Sequence, residues 1–270
     1  MFKYLLILCL VIYLIYLFRY NNTENFLGLV IENFKLIGLK SSGEIHIFDG
    51  INPAGVKIPG LLVNVSLKNN NAWGVNADNE IFYGDVSNPS ATNWNKLPGL
   101  LTQISVDDYT DILAGVNKGG DIFVATTNIK SNPNWTKLPG NFINVDISNN
   151  KLYGINKSNE IFYKPDITTN NNWVKLPGSL KQIVYTEQDG NKLVGVNSTN
   201  DVYYADADLS SSPNWVGLSK KMKYVTLFMD HVIGVDLEGI TWACDSKTKQ
   251  WMKTNISTIF NQISLYKKGK

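Results

Sequence analysis

Cysteine is nearly absent from this chain. Cys9 lies inside an apolar run and Cys244 stands far from it, so no disulfide framework substitutes for a hydrophobic core. Charge of one sign is missing as well: the net charge is +2 and the only lysine cluster is the tail Lys267, Lys268 and Lys270, which excludes the basic face of a nucleic-acid binder. Histidine occurs twice, as His46 and His231, each in a strand-like segment, which reads as strand residues rather than a metal pair. Helical spacing of apolar residues appears nowhere after residue 20. There is no unrepeated cluster of titratable groups of the kind an active site requires, so the expectation is a non-enzyme with neither metal nor cofactor. The acidic groups Asp107, Asp108 and Asp111, and Asp206 with Asp208, read as solvated loops. What is present is 44% hydrophobic and 18% charged residues over 270 positions, enough for a folded core.

The N-terminus carries an uncharged apolar run, residues 4–18, YLLILCLVIYLIYLF, closed by Arg19. A membrane-crossing helix needs roughly 17 to 25 residues, so this run reaches the short limit once Phe2 and the snorkelling Lys3 and Arg19 are included. The following LFRYNNTEN has no small-residue cleavage pattern, which favours an uncleaved signal anchor over a cleaved signal peptide. The α-amino group with Lys3 outweighs Arg19, placing the N-terminus in the cytosol and the bulk of the chain outside or in a lumen. The expected organisation is a membrane helix over residues 1–20, a linker over 21–26 and a folded domain over 27–270.

That domain repeats. Gly38, Gly74, Gly115, Gly154, Gly195 and Gly234 each follow an apolar pair or near equivalent (LIG, AWG, LAG, LYG, LVG, VIG), at intervals of 36, 41, 39, 41 and 39 residues. A period near 40 is that of a propeller blade of four short strands. Within one unit NFINVDIS alternates apolar and polar residues, KLYGIN and EIFYK read as second and third strands, and NWVKLP as a short fourth. The second and third strands are joined by a turn whose third residue is Gly43, Asn79, Gly120, Asn159, Asn200 or Gly239, the residue types that tolerate positive φ. The fold expected is therefore all-β, a six-bladed β-propeller of four-stranded blades preceded by the one N-terminal hydrophobic helix.

The phrase NWTKLPG returns as NWNKLPG and NWVKLPG. Trp94, Trp135, Trp173, Trp215 and Trp251 hold one position of the fourth strand, with Gly55 in the first unit, and their large rings suit blade-on-blade packing. Ring closure has two solutions. FNQISLY, Phe260 to Tyr266, has the character of a first strand and is the preferred partner for the N-terminal unit; Leu27 to Ile31, which aligns with FINVDISNN, is the rival.

The unit W-x-K-L-P-G, I-x-V, L-x-G-V-N, N-x-I-F-Y resembles the tectonin propeller family, and through it horseshoe-crab and fish-egg lectins and fungal tectonins, from about residue 25 onward. The resemblance implies a six-bladed propeller, binding to cell-surface carbohydrate or lipopolysaccharide, and no catalysis. The first unit departs from the pattern with VKIPG and no tryptophan, and the last with WMKTN in place of the full phrase.

The candidate ligand-binding residues open the turns between second and third strands: Asn76, Asn117, Asn156, Asn197 and Asp236, with Lys40 in the first unit. Amides both donate and accept hydrogen bonds, as sugar hydroxyls require, and equally serve to cap their own turn. Trp73 and Tyr153 read as core residues before sugar platforms. Sequons at Asn21, Asn64, Asn134, Asn156, Asn197 and Asn255 fit a glycoprotein. Two functions follow: a membrane-anchored lectin with repeated weak sites for glycans or lipopolysaccharide, or a non-catalytic adaptor propeller that holds protein partners on one face.

Overall fold

A computed structural model describes residues 34–49, 55–169, 172–187, 190–206, 212–228 and 230–267. The apolar run at residues 4–18, the linker and the rival strand Leu27 to Ile31 lie outside the described residues. Those described form six antiparallel four-stranded sheets, with one short 3-10 turn, Pro89–Ala91, and no α-helix among them. Blade 2 is typical: Asn64–Lys68, Asn71–Val75, Glu80–Asp85 and Trp94–Leu100 pair in chain order from the inside outward. Blades 3 to 6 repeat this order. The first strands touch one another in a closed ring, which sets the blades around a central axis. Blade 1 closes that ring. Its second to fourth strands are Phe34–Leu39, Glu44–Phe48 and Val56–Leu61, and its inner strand is the C-terminal Gln262–Lys267, paired along all six residues of Phe34–Leu39.

The inner strands are stitched side to side by their own polar residues. Asn64 Oδ1 accepts from the Ile104 amide, Gln103 Oε1 from Val145, Asn144 Oδ1 from Ile183 and Gln182 Oε1 from Val225. One rung on, Ser66 Oγ accepts from Val106, Asp146 Oδ2 from Tyr185 and Ser264 Oγ from Leu67. The polar half of the alternating pattern thus faces the axis and satisfies backbone donors that would otherwise have no ladder partner.

The six periodic glycines are explained by close approach. Each lies in a second strand, and the residue that leads in from the preceding blade sits directly on it: a Cβ at Gly74, Gly115, Gly154 or Gly195 would come within 2.3 to 2.5 Å of Leu62, Leu101, Phe142 or Leu180. These apolar anchors fill the space between blades, so a methyl group has nowhere to go.

In all six turns between second and third strands the expected glycine or asparagine takes positive φ, from 61° at Asn159 to 91° at Gly239. The same ends of the blades carry the connections from each fourth strand to the next first strand. Leu62, Leu101, Phe142, Leu180, Met222 and Phe260 each donate their amide to the carbonyl of one of those turn residues, tying connection to turn.

Candidate functional site

The repeated phrase resolves into separate jobs. Its tryptophan Nε1–H donates across to the preceding blade: Trp94 to the Pro59 carbonyl at 2.7 Å, Trp135 to Pro98 at 2.8 Å, Trp173 to Pro139 at 2.7 Å and Trp215 to Pro177 at 2.9 Å. Proline and glycine lie in a bulge, since Ile81 faces Leu97 but Glu80 faces Leu100, so a residue without an amide hydrogen breaks no ladder. The glycine, with φ of 101° to 123° in four blades, leaves the space that the neighbouring indole occupies. The leucine enters the core. The lysine pairs with the acid that opens the third strand: Lys57 with Glu44, Lys96 with Glu80, Lys137 with Asp121 and Lys175 with Glu160.

That acid is also the partner of the candidate residues. Asn76 Oδ1 accepts from the Asp78 and Glu80 amides and its Nδ2 donates to Glu80 Oε2 at 2.8 Å. Asn156 does the same with Ser158 and Glu160, and Asn197 with Thr199 and Asp201. Asn117 accepts from the Asp121 amide and donates to its carboxylate, while Asp236 accepts from Glu238, Ile240 and the Trp242 indole. Each therefore caps its own turn, and the four asparagines belong to amide–acid–lysine clusters at the surface. Lysine hydrogen bonding, the leading cause at every one, holds Glu80, Asp121 and Glu160 below the usual carboxylate range and Glu44 and Asp201 down to about 2.

Beside these clusters the blades part into clefts. Between blades 2 and 3 a cleft of about 390 Å³ is lined by Ile81, Gly99, Leu100, Leu101, Asn117, Phe123 and Trp135. Between blades 4 and 5 the corresponding cleft, about 290 Å³, is lined by Gly178, Ser179, Leu180, Asn197, Tyr203 and Trp215. The correspondence is position by position: glycine, apolar anchor, turn asparagine, third-strand aromatic and fourth-strand tryptophan. Between blades 3 and 4 the anchor is the larger Phe142, whose ring packs on Phe162 at 5.5 Å and edge-on to Trp173 at 4.7 Å. Of the candidate residues, Asn117 and Asn197 line these clefts, whereas the third-strand aromatics Phe123 and Tyr203 were not singled out from the sequence; a half-buried aromatic on a strand cannot be told from a core residue by pattern alone.

A tectonin domain model matches residues 33–235. The chain belongs to the tectonin domain family. The comparison with curated proteins finds no match. Among solved structures this tectonin propeller is similar in fold to a chain of the nidogen/laminin complex, with a TM-score of 0.67 at 10% identity, covering 86% of this chain and 98% of that one. It is similar also to the Cps50 (Swd1) propeller domain of Myceliophteria thermophila, at a TM-score of 0.57 and 9% identity over 81% of this chain and 82% of that one. Prp20p of Saccharomyces cerevisiae follows at 0.55 and 9%, over 86% and 75%.

Other positions in the tectonin propeller find plain roles. Trp73 is buried with its Nε1 on the Ile129 carbonyl, and Tyr153 is buried beneath Tyr163 and Tyr185. His46 lies in the third strand of blade 1 against Phe260, whereas His231 opens the second strand of blade 6 opposite Asp245; burial lowers the pKa of both. Asp107 is a correction to the solvated-loop expectation: it is fully buried and its carboxylate accepts from the Tyr109, Thr110, Asn149 and Asn150 amides, bracing blade 3 to blade 4. No group of three metal-ligating side chains occurs among the described residues. Asn64 sits in the wall of the axis with its amide engaged, an unsuitable place for an N-linked glycan.

Proposed function

We propose that this tectonin propeller is a non-catalytic, lectin-like protein that takes carbohydrate, from cell-surface glycans or lipopolysaccharide, into the clefts between its blades. The apolar run at residues 4–18 would hold it to a membrane with the propeller on the extracellular or lumenal side. The observation that carries the reading is the recurrence of one lining in two clefts, with Phe123 and Trp135 in one matched by Tyr203 and Trp215 in the other. Aromatic faces accept the C–H face of a pyranose, and the neighbouring amide, acid and lysine groups supply the donors and acceptors that hydroxyls need. Each cleft is shallow and binds weakly, so useful affinity comes from several clefts acting on one multivalent surface, a gain of roughly 10² to 10⁴.

A glycan array probed with the full-length protein in detergent tests this. The parent is expected to bind multivalent glycans, and Phe123→Leu with Tyr203→Leu to lose at least about tenfold of that binding by avidity while melting normally. Unchanged binding by the double variant, or none by the parent, overturns the proposal. One observation favours a second reading, a protein-docking face: Leu61, Val63, Leu100, Ile143, Leu237 and Ile259 are all exposed at the end of the molecule that carries the hairpin turns. A parent that binds no glycan moves the reading there.

A further inference from the structure

The fifth blade ends differently from the others. Where blades 2 to 4 read leucine, proline, glycine, it reads Leu218, Ser219, Lys220. The residue at positive φ moves one place earlier, to Ser219 at 51°, and the acceptor for the next indole moves with it, so that Trp251 Nε1 donates to the Leu218 carbonyl at 2.6 Å. At the position where a glycine otherwise leaves space, the chain carries a lysine.

Its side chain fills that space. Lys220 Nζ lies 3.4 Å from the centroid of the Trp242 ring, and Trp242 holds the third-strand aromatic position of Phe123 and Tyr203. The Trp242 indole donates at 2.7 Å to Asp236, the counterpart of Asn117 and Asn197. The cleft between blades 5 and 6 thus has its aromatic floor and turn residue, but the asparagine has become a carboxylate, the ring has become the most electron-rich of the aromatics, and an ammonium group rests on it. An indole face beside a carboxylate is the chemistry that recognises organic cations.

We propose that this cleft is a cation-selective aromatic site occupied by the protein's own Lys220, which closes it to the neutral ligand of the other clefts. The proposal deepens the lectin reading by removing one cleft from its valency, yet it stands on contacts within the chain. Three consequences follow from the same contact: the Trp242 face is shielded from solvent, the shield is the lysine, and an alkylammonium ion replaces the lysine once its side chain is removed.

Tryptophan oxidation by N-bromosuccinimide, read residue by residue by peptide mass spectrometry on the full-length protein, tests each. In the parent, Trp135 and Trp215 are expected to oxidise readily and Trp242 slowly. In Lys220→Ala, Trp242 oxidation is expected to rise about tenfold, the change in exposed population that loss of a cation–π contact brings. Tetramethylammonium chloride should then protect Trp242 in Lys220→Ala and leave the parent unaffected. Lys220→Met, which keeps the stem and loses the charge, is expected to fall between the two. Equal oxidation of Trp242 in parent and Lys220→Ala, with both folded by circular dichroism, overturns the shielding. Protection of exposed Trp242 by neutral sugars but not by tetramethylammonium overturns the cation preference. A parent that binds no glycan would sink the lectin reading and leave this oxidation pattern unchanged.

Discussion

Gly154 and Gly234 occupy the same place in different blades, and their surroundings separate two kinds of steric cost. A methyl group at Gly154 would lie 2.4 Å from the Phe142 ring, which is itself wedged against Phe162 and Trp173 and has no free direction to move. At Gly234 the nearest atoms are the Sδ and Cγ of Met222 at 3.0 and 3.1 Å, part of an unbranched side chain that repacks easily. Gly154→Ala is therefore expected to destabilise by about 2 to 3 kcal/mol and Gly234→Ala by about 1 kcal/mol or less, since overpacking costs depend on whether the neighbour yields. Chemical denaturation of the two variants measures the difference, and equal losses would show that the anchor side chain does not decide the cost. The six glycines were visible in the sequence as a period, but their reason was not: they carry no special φ, and the side chain that excludes a Cβ comes from the connection leading in from the preceding blade, which for Gly38 is Phe260 at the far end of the chain.

At the scale of the strand, alternation predicted which residues of each inner strand point away from the core, and the structure turns those residues toward the axis. Asp146 is the consequential one. It accepts from Ser105 Oγ at 2.7 Å and from the Tyr185 amide, and it faces Asp107 and Asp108, with Lys68 also near Asp108. Removal from bulk water pushes its carboxyl up to about 7. A raised carboxyl takes up a proton on folding, so its contribution to stability is fully present below the ordinary aspartate value and is lost as pH rises through about 7. Asp146→Asn keeps an acceptor for Tyr185 and never ionises. The variant is expected to flatten the fall of melting temperature between about pH 5 and pH 7.5; an unchanged slope would show that Asp146 is already ionised in the native state. The phrase at the other edge of the blade was less legible. Trp, Lys, Leu, Pro and Gly recur together, yet they serve two different interfaces, and no property of one segment reveals that its tryptophan belongs with the preceding segment's proline. The turn residues Asn76, Asn117, Asn156 and Asn197 were identifiable by position for the same reason that their use was not: the hydrogen bonds an asparagine makes to its own turn are the ones it would make to a ligand.

For the whole ring, the two irregular units of the sequence turn out to be the two sides of one interface. Blade 1 has Gly55 where the others have tryptophan, and blade 6 has Thr254, Asn255 and Ile256 where blades 2 to 4 have leucine, proline and glycine. Blade 6 meets blade 1, so the indole clasp is missing at this seam from both partners at once. Phenylalanine replaces it. Phe260 lies beneath Gly38 and packs edge-on to Phe48 at 5.5 Å, while Phe34 packs edge-on to Phe228 at 5.3 Å, within a core cluster that joins the two blades. Next to the seam the two ends of the domain pair, Phe34–Leu39 with Gln262–Lys267, so blade 1 differs from the other blades in that its inner strand is joined to its second strand by hydrogen bonds and packing with no connecting hairpin. Phe260→Ala is accordingly expected to cost about 3 to 5 kcal/mol, the range for a buried aromatic truncated to a methyl group. Local opening should begin there. Hydrogen exchange of the variant is expected to release the amides of Phe34–Leu39 and Gln262–Lys267 together, well before those of blades 3 and 4, whose interface keeps its clasp from Trp173 to Pro139. Uniform exchange across all six blades would mean that the ring opens only as a unit, and that the phenylalanine seam is as strong as the tryptophan clasps it replaces.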